Sequence, residues 1–288
     1  VIVPFRSGSS AKLYQRLWTK EGSPIKIYGM SVARKLQQHL GDNYAVELAM
    51  RYQSPDLETA LKKLIFEIKV SEIVVFPMFP QYASATTGSV HDEVMRLLRQ
   101  WDLIPNVKMI NSYPDNPEMI DVFVQNAKKY EVTSYDHFIF SFHGVPERHV
   151  KKADPSGSHC LKKENCCNLA CLENQFCYSA QCHTTAHAIA TKLGLDKEQY
   201  SITYQSRLGK DPWLQPYTDQ TLQNQLSKGN KKILVFSPAF VADCLETTIE
   251  IGFEYKEDFI HNGGERLDLV ESLNDNEAWV KAIANMVK

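Results

Sequence analysis

The chain is predicted to be an α/β protein built on parallel sheets, and three observations carry that reading. Short apolar runs alternate with amphipathic segments of helical period along most of its 288 residues, the pattern of βαβ units. The run Phe138 to Phe142 is aromatic and β-branched without strict polar alternation, as in a strand covered on both faces. It then stops abruptly at His143-Gly144-Val145-Pro146, where glycine and proline cannot continue it. Two successive series of such units meet near Val132 to Tyr135. We therefore expect two similar domains, 1–133 and 134–288, and the length suffices for two cores.

The elements follow in order. Leu13, Leu17 and Trp18 share one helical face from Ala11 to Trp18, and Glu21-Gly22-Ser23-Pro24 breaks that helix. Pro24 suits the first turn of the next, expected over Ile25 to Leu40. Tyr44 to Tyr52 alternates and predicts a strand; Ser54-Pro55 predicts an N-cap and first turn for a helix reaching Val70. Glu72 to Phe79 is an apolar strand, followed by a small-residue loop and a helix from Ser89 to Trp101. Val107 to Ser112 is a strand, and Asn116-Pro117-Glu118 opens a helix to Tyr130. After the strand Tyr135 to Phe142 comes a cysteine-rich stretch, about 154–182, then a helix from Thr184 to Leu193. Strands are expected at Tyr200 to Tyr204, Lys232 to Phe236 and Leu267 to Val270. Helices are expected at Thr218 to Ser227, Asp243 to Asp258 and Asn276 to Val287.

Composition removes several classes. A net charge of -2 without basic blocks gives no footprint for nucleic acid. No apolar stretch has the length of a membrane span, so a cytoplasmic protein is expected. Six of the seven cysteines fall between Cys160 and Cys182, a clustering that favours metal binding over disulfides. Neither a glycine-rich phosphate loop after an early strand nor a serine elbow is present.

The residues suited to chemistry sit at strand ends. In open α/β sheets ligands bind beyond the carboxyl ends of the strands, which makes His143 a candidate base or metal ligand. The bland alternative, a histidine closing a strand by hydrogen bonding, would win for any lone histidine. Asp243, Glu246 and Glu250 enter a helix, the last two about one turn apart and so on one face. Acidic residues in a first helical turn also serve the helix dipole, which would explain Asp243 and Glu246 alone. Tyr14, Ser23, Tyr52, Phe79, Tyr82 and Trp213 fall at other strand ends and turns; each singly is better read as packing, together as lining for a large flat apolar ligand.

Taken together, Gly22-Ser23-Pro24-Ile25, Met50-Arg51-Tyr52, Phe76-Pro77-Met78-Phe79-Pro80-Gln81-Tyr82, Ser141-Phe142-His143-Gly144-Val145-Pro146, Thr203-Tyr204-Gln205-Ser206-Arg207-Leu208-Gly209 and Asp243-Cys244-Leu245-Glu246-Thr247 resemble the ferrochelatases. These enzymes insert ferrous iron into protoporphyrin IX at the last step of haem formation. The resemblance runs through nearly the whole chain. It implies two Rossmann-like, chelatase-type domains, each a parallel sheet flanked by helices, with a porphyrin cleft between them. His143 matches the family's active-site histidine, which takes pyrrole protons or ligates iron, and Glu246 its partner across the macrocycle. Glu250 and Asp243 match an acidic path behind Glu246. Arg6, Tyr14, Ser23, Tyr52, Phe79 and Trp213 fall at porphyrin-contacting positions. The resemblance also implies peripheral association with the inner membrane, and a monomer or homodimer. Family members usually begin with a strand that this sequence lacks, so part of the first sheet is expected to be missing.

The cysteine stretch departs from most of the family. Four thiolates suit zinc or a [2Fe-2S] cluster, and paired Cys-x-x-Cys motifs typical of zinc are absent. Some relatives carry [2Fe-2S], which tips the expectation to a cluster held by four of Cys160, Cys166, Cys167, Cys171 and Cys177. Cys182 falls where the ordinary family sequence resumes. Two further readings stand beside the enzyme: a non-catalytic porphyrin- or haem-binding regulatory paralogue, and a cobalt chelatase acting on a tetrapyrrole.

Overall fold

The computed structural model describes residues 13–288. Arg6 and the start of the helix expected from Ala11 lie outside the described residues; residues 13–17 are helical. Helix α1 (Pro24–Leu40) begins at the predicted proline, with Ser23 in extended backbone before it. The strand expected over Tyr44 to Tyr52 is not formed: the segment makes only an isolated bridge, Met50 with Asp56. Alternation gives a segment two faces but no hydrogen-bonded neighbour, and among the described residues no strand lies beside it. Helix α2 (Leu57–Lys62) is capped by Asp56, whose carboxylate accepts from the Thr59 N–H at 2.8 Å, and not by Ser54 as expected. It widens into a π-helical turn over Lys63–Ile68. Strand β1 (Glu72–Val75), helix α3 (Thr87–Leu98), strand β2 (Asn106–Met109) and helix α4 (Pro117–Ala127) follow, with β1 and β2 parallel and Ile73 opposite Val107.

The second sheet is larger. Strand β3 (His137–His143), helices α5 (Glu147–Lys152) and α6 (Tyr178–Leu193), strand β4 (Tyr200–Gln205), helix α7 (Thr218–Ser227) and strand β5 (Lys232–Phe236) come in succession. A π-helix over Leu245–Tyr255 runs into helix α8 (Lys256–His261), and strand β6 (Arg266–Leu269) and helix α9 (Glu277–Val287) close the chain. The sheet is wholly parallel in the order β4-β3-β5-β6. The chain leaves β3 to pair on one side with β4 and on the other with β5. The order therefore reverses at β3, and a crevice opens at its carboxyl end, the place where sheets of this kind bind ligands.

One apolar core fixes that strand. Phe138, Phe140 and Phe142 are buried, and Phe140 stacks on Phe236 of β5 with ring centres 4.9 Å apart. Each such aromatic contributes about 1.5–3 kcal/mol on burial. The core joins both halves of the chain: Trp279 and Ile283 of α9 share it with Val32 and Leu36 of α1 and Phe123 of α4. The C-terminal helix thereby locks the first half to the second.

Candidate active site

His143 is the last residue of β3 and the only one of that strand not fully buried. Its Nδ1 lies 2.7 Å from the Gly144 carbonyl. A carbonyl oxygen can only accept, so Nδ1 carries the proton and the neutral ring keeps its lone pair on Nε2. The backbone there is held too: the Tyr178 hydroxyl donates to the His143 carbonyl at 2.8 Å, and Gly144 N–H to the Gln205 carbonyl at 2.8 Å. Trp213 and Phe240 flank the imidazole at 6.4 and 6.2 Å between ring centres. Trp213 bridges to Pro146, and its indole N–H is buried with no hydrogen-bond partner among the described residues.

Gln205 stands opposite His143 in the β3–β4 register and ties the site together. Its Oε1 accepts from Ser141 at 2.7 Å and from Ser237 at 3.4 Å. Its Nε2 donates to the Glu246 carbonyl at 2.8 Å and to a Glu250 carboxylate oxygen at 3.3 Å. A buried amide with all its valences used has one orientation, so the strand end and the carboxylate helix are set against each other. In the sequence Gln205 stands only within the Thr203 to Gly209 motif, with no role of its own. The available signal was a polar residue ending a buried strand.

The carboxylates divide by what holds them. Glu250 accepts from the Ser206 N–H at 3.0 Å, from the Ser206 hydroxyl and from Tyr255 at 2.7 Å. Burial and the Glu250 charge push the Tyr255 phenol up, which keeps it the donor. Asp243 is occupied by Asn274 at 2.7 Å, Thr247 at 3.1 Å and the Ser272 N–H at 3.3 Å. Glu246 is the least encumbered: its side chain is half-buried beside the Cys244 thiol, which burial first and the Glu246 charge second push up and keep protonated. The helix carrying Glu246 and Glu250 is π-helical where an α-helix was predicted; at about one turn the two still share a face.

The expected porphyrin contacts are spread more widely. Phe79 shares the wall of a largely apolar cavity of about 280 Å³ with Phe240, Tyr28, Met50 and Phe76, and of these Phe240 is the one that flanks His143. Tyr82 lines a second hollow, of about 620 Å³, together with Tyr178. Tyr52 is 79% exposed, its hydroxyl 3.3 Å from Ser89 and its ring under Arg51. Tyr14 meets Trp18 edge-on, and Ser23 precedes α1 without capping it through its side chain. Among the described residues, no hydrogen bond or ring contact joins Tyr14, Ser23 or Tyr52 to His143.

Of the cysteines, the Cys177 thiol meets both Cys160 and Cys167, and Cys166 lies 3.9 Å from Cys167, sulfur to sulfur. Burial pushes the Cys160 thiol up to about 11 and raises Cys166 as well. Cys182 is buried within α6, which starts six residues earlier than predicted, and interacts with Tyr178. Cys171 turns elsewhere, its sulfur 3.6 Å from His159.

A reversal point in a parallel sheet, with a histidine at its mouth and a carboxylate-bearing helix tied to the neighbouring strand end, is the arrangement of an α/β protein with a ligand crevice. The fold is similar to that of SirB from Bacillus subtilis with Fe3+, at a TM-score of 0.62, 11% identity and coverage of 92% of this chain and 90% of that one. The family model Ferrochelatase matches residues 1–288. Ferrochelatases of Legionella pneumophila (strain Lens) and Pseudomonas fluorescens (strain Pf0-1) are each 42% identical, over 100% and 98% of this chain and 84% and 82% of their own lengths. That of Coxiella burnetii (strain Dugway 5J108-111) is 41% identical, over 100% of this chain and 80% of its own length. The chain belongs to the ferrochelatase family, and its function is that of a ferrochelatase: a lyase that takes ferrous iron and a porphyrin as substrates. No helix among the described residues is long and apolar enough to cross a membrane.

Proposed function

We propose that this chain inserts ferrous iron into protoporphyrin IX with His143 as the base that removes pyrrole protons and Glu246 as the carboxylate on the opposite face of the macrocycle. The observation that carries the reading is the 2.7 Å contact of His143 Nδ1 with the Gly144 carbonyl, which makes Nδ1 the donor and leaves Nε2, without a hydrogen bond among the described residues, as the nitrogen that can take a proton. Insertion exchanges two pyrrole N–H protons for one ferrous ion. His143 Nε2 accepts one proton, and the Glu246 carboxylate receives the other. Glu250 and Asp243, saturated with donors, hold Glu246 and its loop in place rather than react themselves. Phe240 and Trp213 beside the imidazole, with Phe79 in the cavity that Phe240 also lines, suit a flat apolar ring. Exposed Trp18, Ile25 and Met30 support peripheral contact with the inner membrane from the cytoplasm, where so apolar a substrate partitions. The domain units in this reading are 1–133 and 134–288, with α9 returning to the first.

We also propose that Cys160, Cys166, Cys167 and Cys177 hold a [2Fe-2S] cluster. Four soft donors converging in one partly buried loop fit that group, and Cys171 is the thiol left out. Such a cluster supplies one-electron redox capacity and adds its binding energy to folding; iron insertion needs neither. The test of the main reading is His143→Ala, assayed by fluorescence as ferrous or zinc ion enters protoporphyrin. Porphyrin binding is expected to survive while insertion falls by about 10²–10⁴. Turnover within a few-fold of the parent removes His143 from the reaction.

A further inference from the structure

The thiol excluded from the four-cysteine group has its own company. Cys171 Sγ, His159 Nε2 and a Glu173 carboxylate oxygen all lie within 4.8 Å of one another, with the sulfur and the ring nitrogen 3.6 Å apart. All three residues are half-buried, so the donors are reachable from solvent. The loop that presents them is tied from inside. Asp154 accepts from the N–H groups of His159 and Cys160 at 2.8 and 3.0 Å. Buried Asn174 accepts from the Cys171 N–H at 2.9 Å and donates to the carbonyls of Cys166 and Leu169. These ties hold His159 and Cys171, twelve residues apart, on facing turns.

We propose that His159, Cys171 and Glu173 form a second metal site, which takes one divalent ion of the zinc or ferrous class. A thiolate, an imidazole and a carboxylate are the donor set of borderline transition metals; magnesium and calcium want oxygen alone. Three protein ligands leave a coordination position to water, so the ion exchanges instead of being sealed as in a four-ligand structural site. On binding, Cys171 gives up its thiol proton to solvent. His159, whose Nε2 otherwise lies 3.2 Å from the Cys166 carbonyl, turns its one proton over to Nδ1. The carbonyl is not orphaned, because Asn174 donates to it at 2.9 Å. Lys163 faces Glu173 and opposes the ion's charge, which favours loose over permanent binding.

The inference rests on the four-thiol reading only in taking Cys171 as free, and the experiment separates the two. The full chain as purified is titrated with zinc against a chromophoric chelator, alongside Cys171→Ser, His159→Ala and Glu173→Gln. The parent is expected to bind one zinc equivalent that each variant loses or holds at least tenfold more weakly. Visible colour, acid-labile sulfide and melting temperature are expected to be unchanged in all three. Equal zinc stoichiometry and affinity in parent and variants overturns the site. Loss of colour in Cys171→Ser also overturns it, by placing Cys171 in the four-thiol group. Where His159→Ala unfolds the loop, Glu173→Gln, which leaves the backbone ties intact, decides. A parent without sulfide ends the cluster reading yet leaves the Glu173→Gln comparison valid.

Discussion

Replacing Gly144 by alanine probes how tightly the turn after β3 holds His143. A Cβ at Gly144 would lie 3.0 Å from the Gln205 carbonyl oxygen and 3.1 Å from Cε3 of Trp213, against 3.4–4 Å for ordinary contact. Neither neighbour is a flexible chain end. The carbonyl accepts the Gly144 N–H, and the ring is wedged beside the imidazole. The turn must therefore open by a few tenths of an ångström, at an overpacking cost of about 1–3 kcal/mol. For a cost near 2 kcal/mol the melting temperature should fall by about 4–8 °C. A 1 Å misplacement of reacting groups costs about 10²-fold, so a shift of about half that should cost about tenfold in turnover. Porphyrin affinity, which the aromatic walls supply, should change less. The matched control is Gly252→Ala in the π-helix, where the new methyl would meet its neighbours at 3.5 and 3.7 Å. Restricting the unfolded chain there should leave stability equal or raise it by about 0.5–1 kcal/mol. Stopped-flow insertion of zinc into protoporphyrin and thermal melts of both variants measure these effects. Full turnover and parental melting in Gly144→Ala would refute the argument that this close approach positions His143.

Further outcomes follow from the same geometry. Glu246→Gln should reduce insertion far more than Glu250→Gln, because Glu246 faces the reaction and Glu250 is spent on Ser206, Gln205 and Tyr255; steady-state kinetics showing the reverse order would reassign them. Gln205→Leu should lower kcat with little change in KM, since it frees the Glu246 segment without touching the aromatic walls; a selective rise in KM would contradict that. Serine at Cys160, Cys166, Cys167 or Cys177 should cost colour and melting temperature together, read by absorbance before and after dithionite; stoichiometric zinc without colour would leave a zinc site instead. Stability should fall as pH drops from about 6.5 towards 4: burial first, and then the Lys228 charge, depress His137 to about 4, so across that window the unfolded chain binds a proton that the native one refuses. His183, depressed to about 4 by burial and then by His187, adds to the same slope; His137→Gln should flatten it, and an unchanged pH profile of urea midpoints would count against the assignment.

The central strand was legible because four large apolar residues among the five before His143, interrupted only by Ser141, have no environment but a two-sided core, and the glycine and proline after it fix where it ends. Helix α7 and strand β5 fall on the residues predicted for them, where local pattern and tertiary burial agree. The candidate base was legible for the same reason, as the first titratable group beyond a buried run. What the sequence could not decide depends on partners distant along the chain. Tyr44 to Tyr52 alternates like a strand yet has no ladder among the described residues, since pairing belongs to two segments and the pattern to one. The π-helical winding around Glu246 moves each hydrogen bond on by one residue, a change of backbone partner that the side-chain sequence does not announce. Gln205 gains its role only when β4 pairs with β3 and its amide reaches the Glu246 segment, 41 residues further on. The division of the cysteines rests on the folding of one polar loop around Asp154 and Asn174, whose hydrogen bonds turn Cys177 towards Cys160 and Cys167 and leave Cys171 facing His159. Six thiols in 23 residues announce a metal; only the path of the backbone through space determines which sulfurs meet.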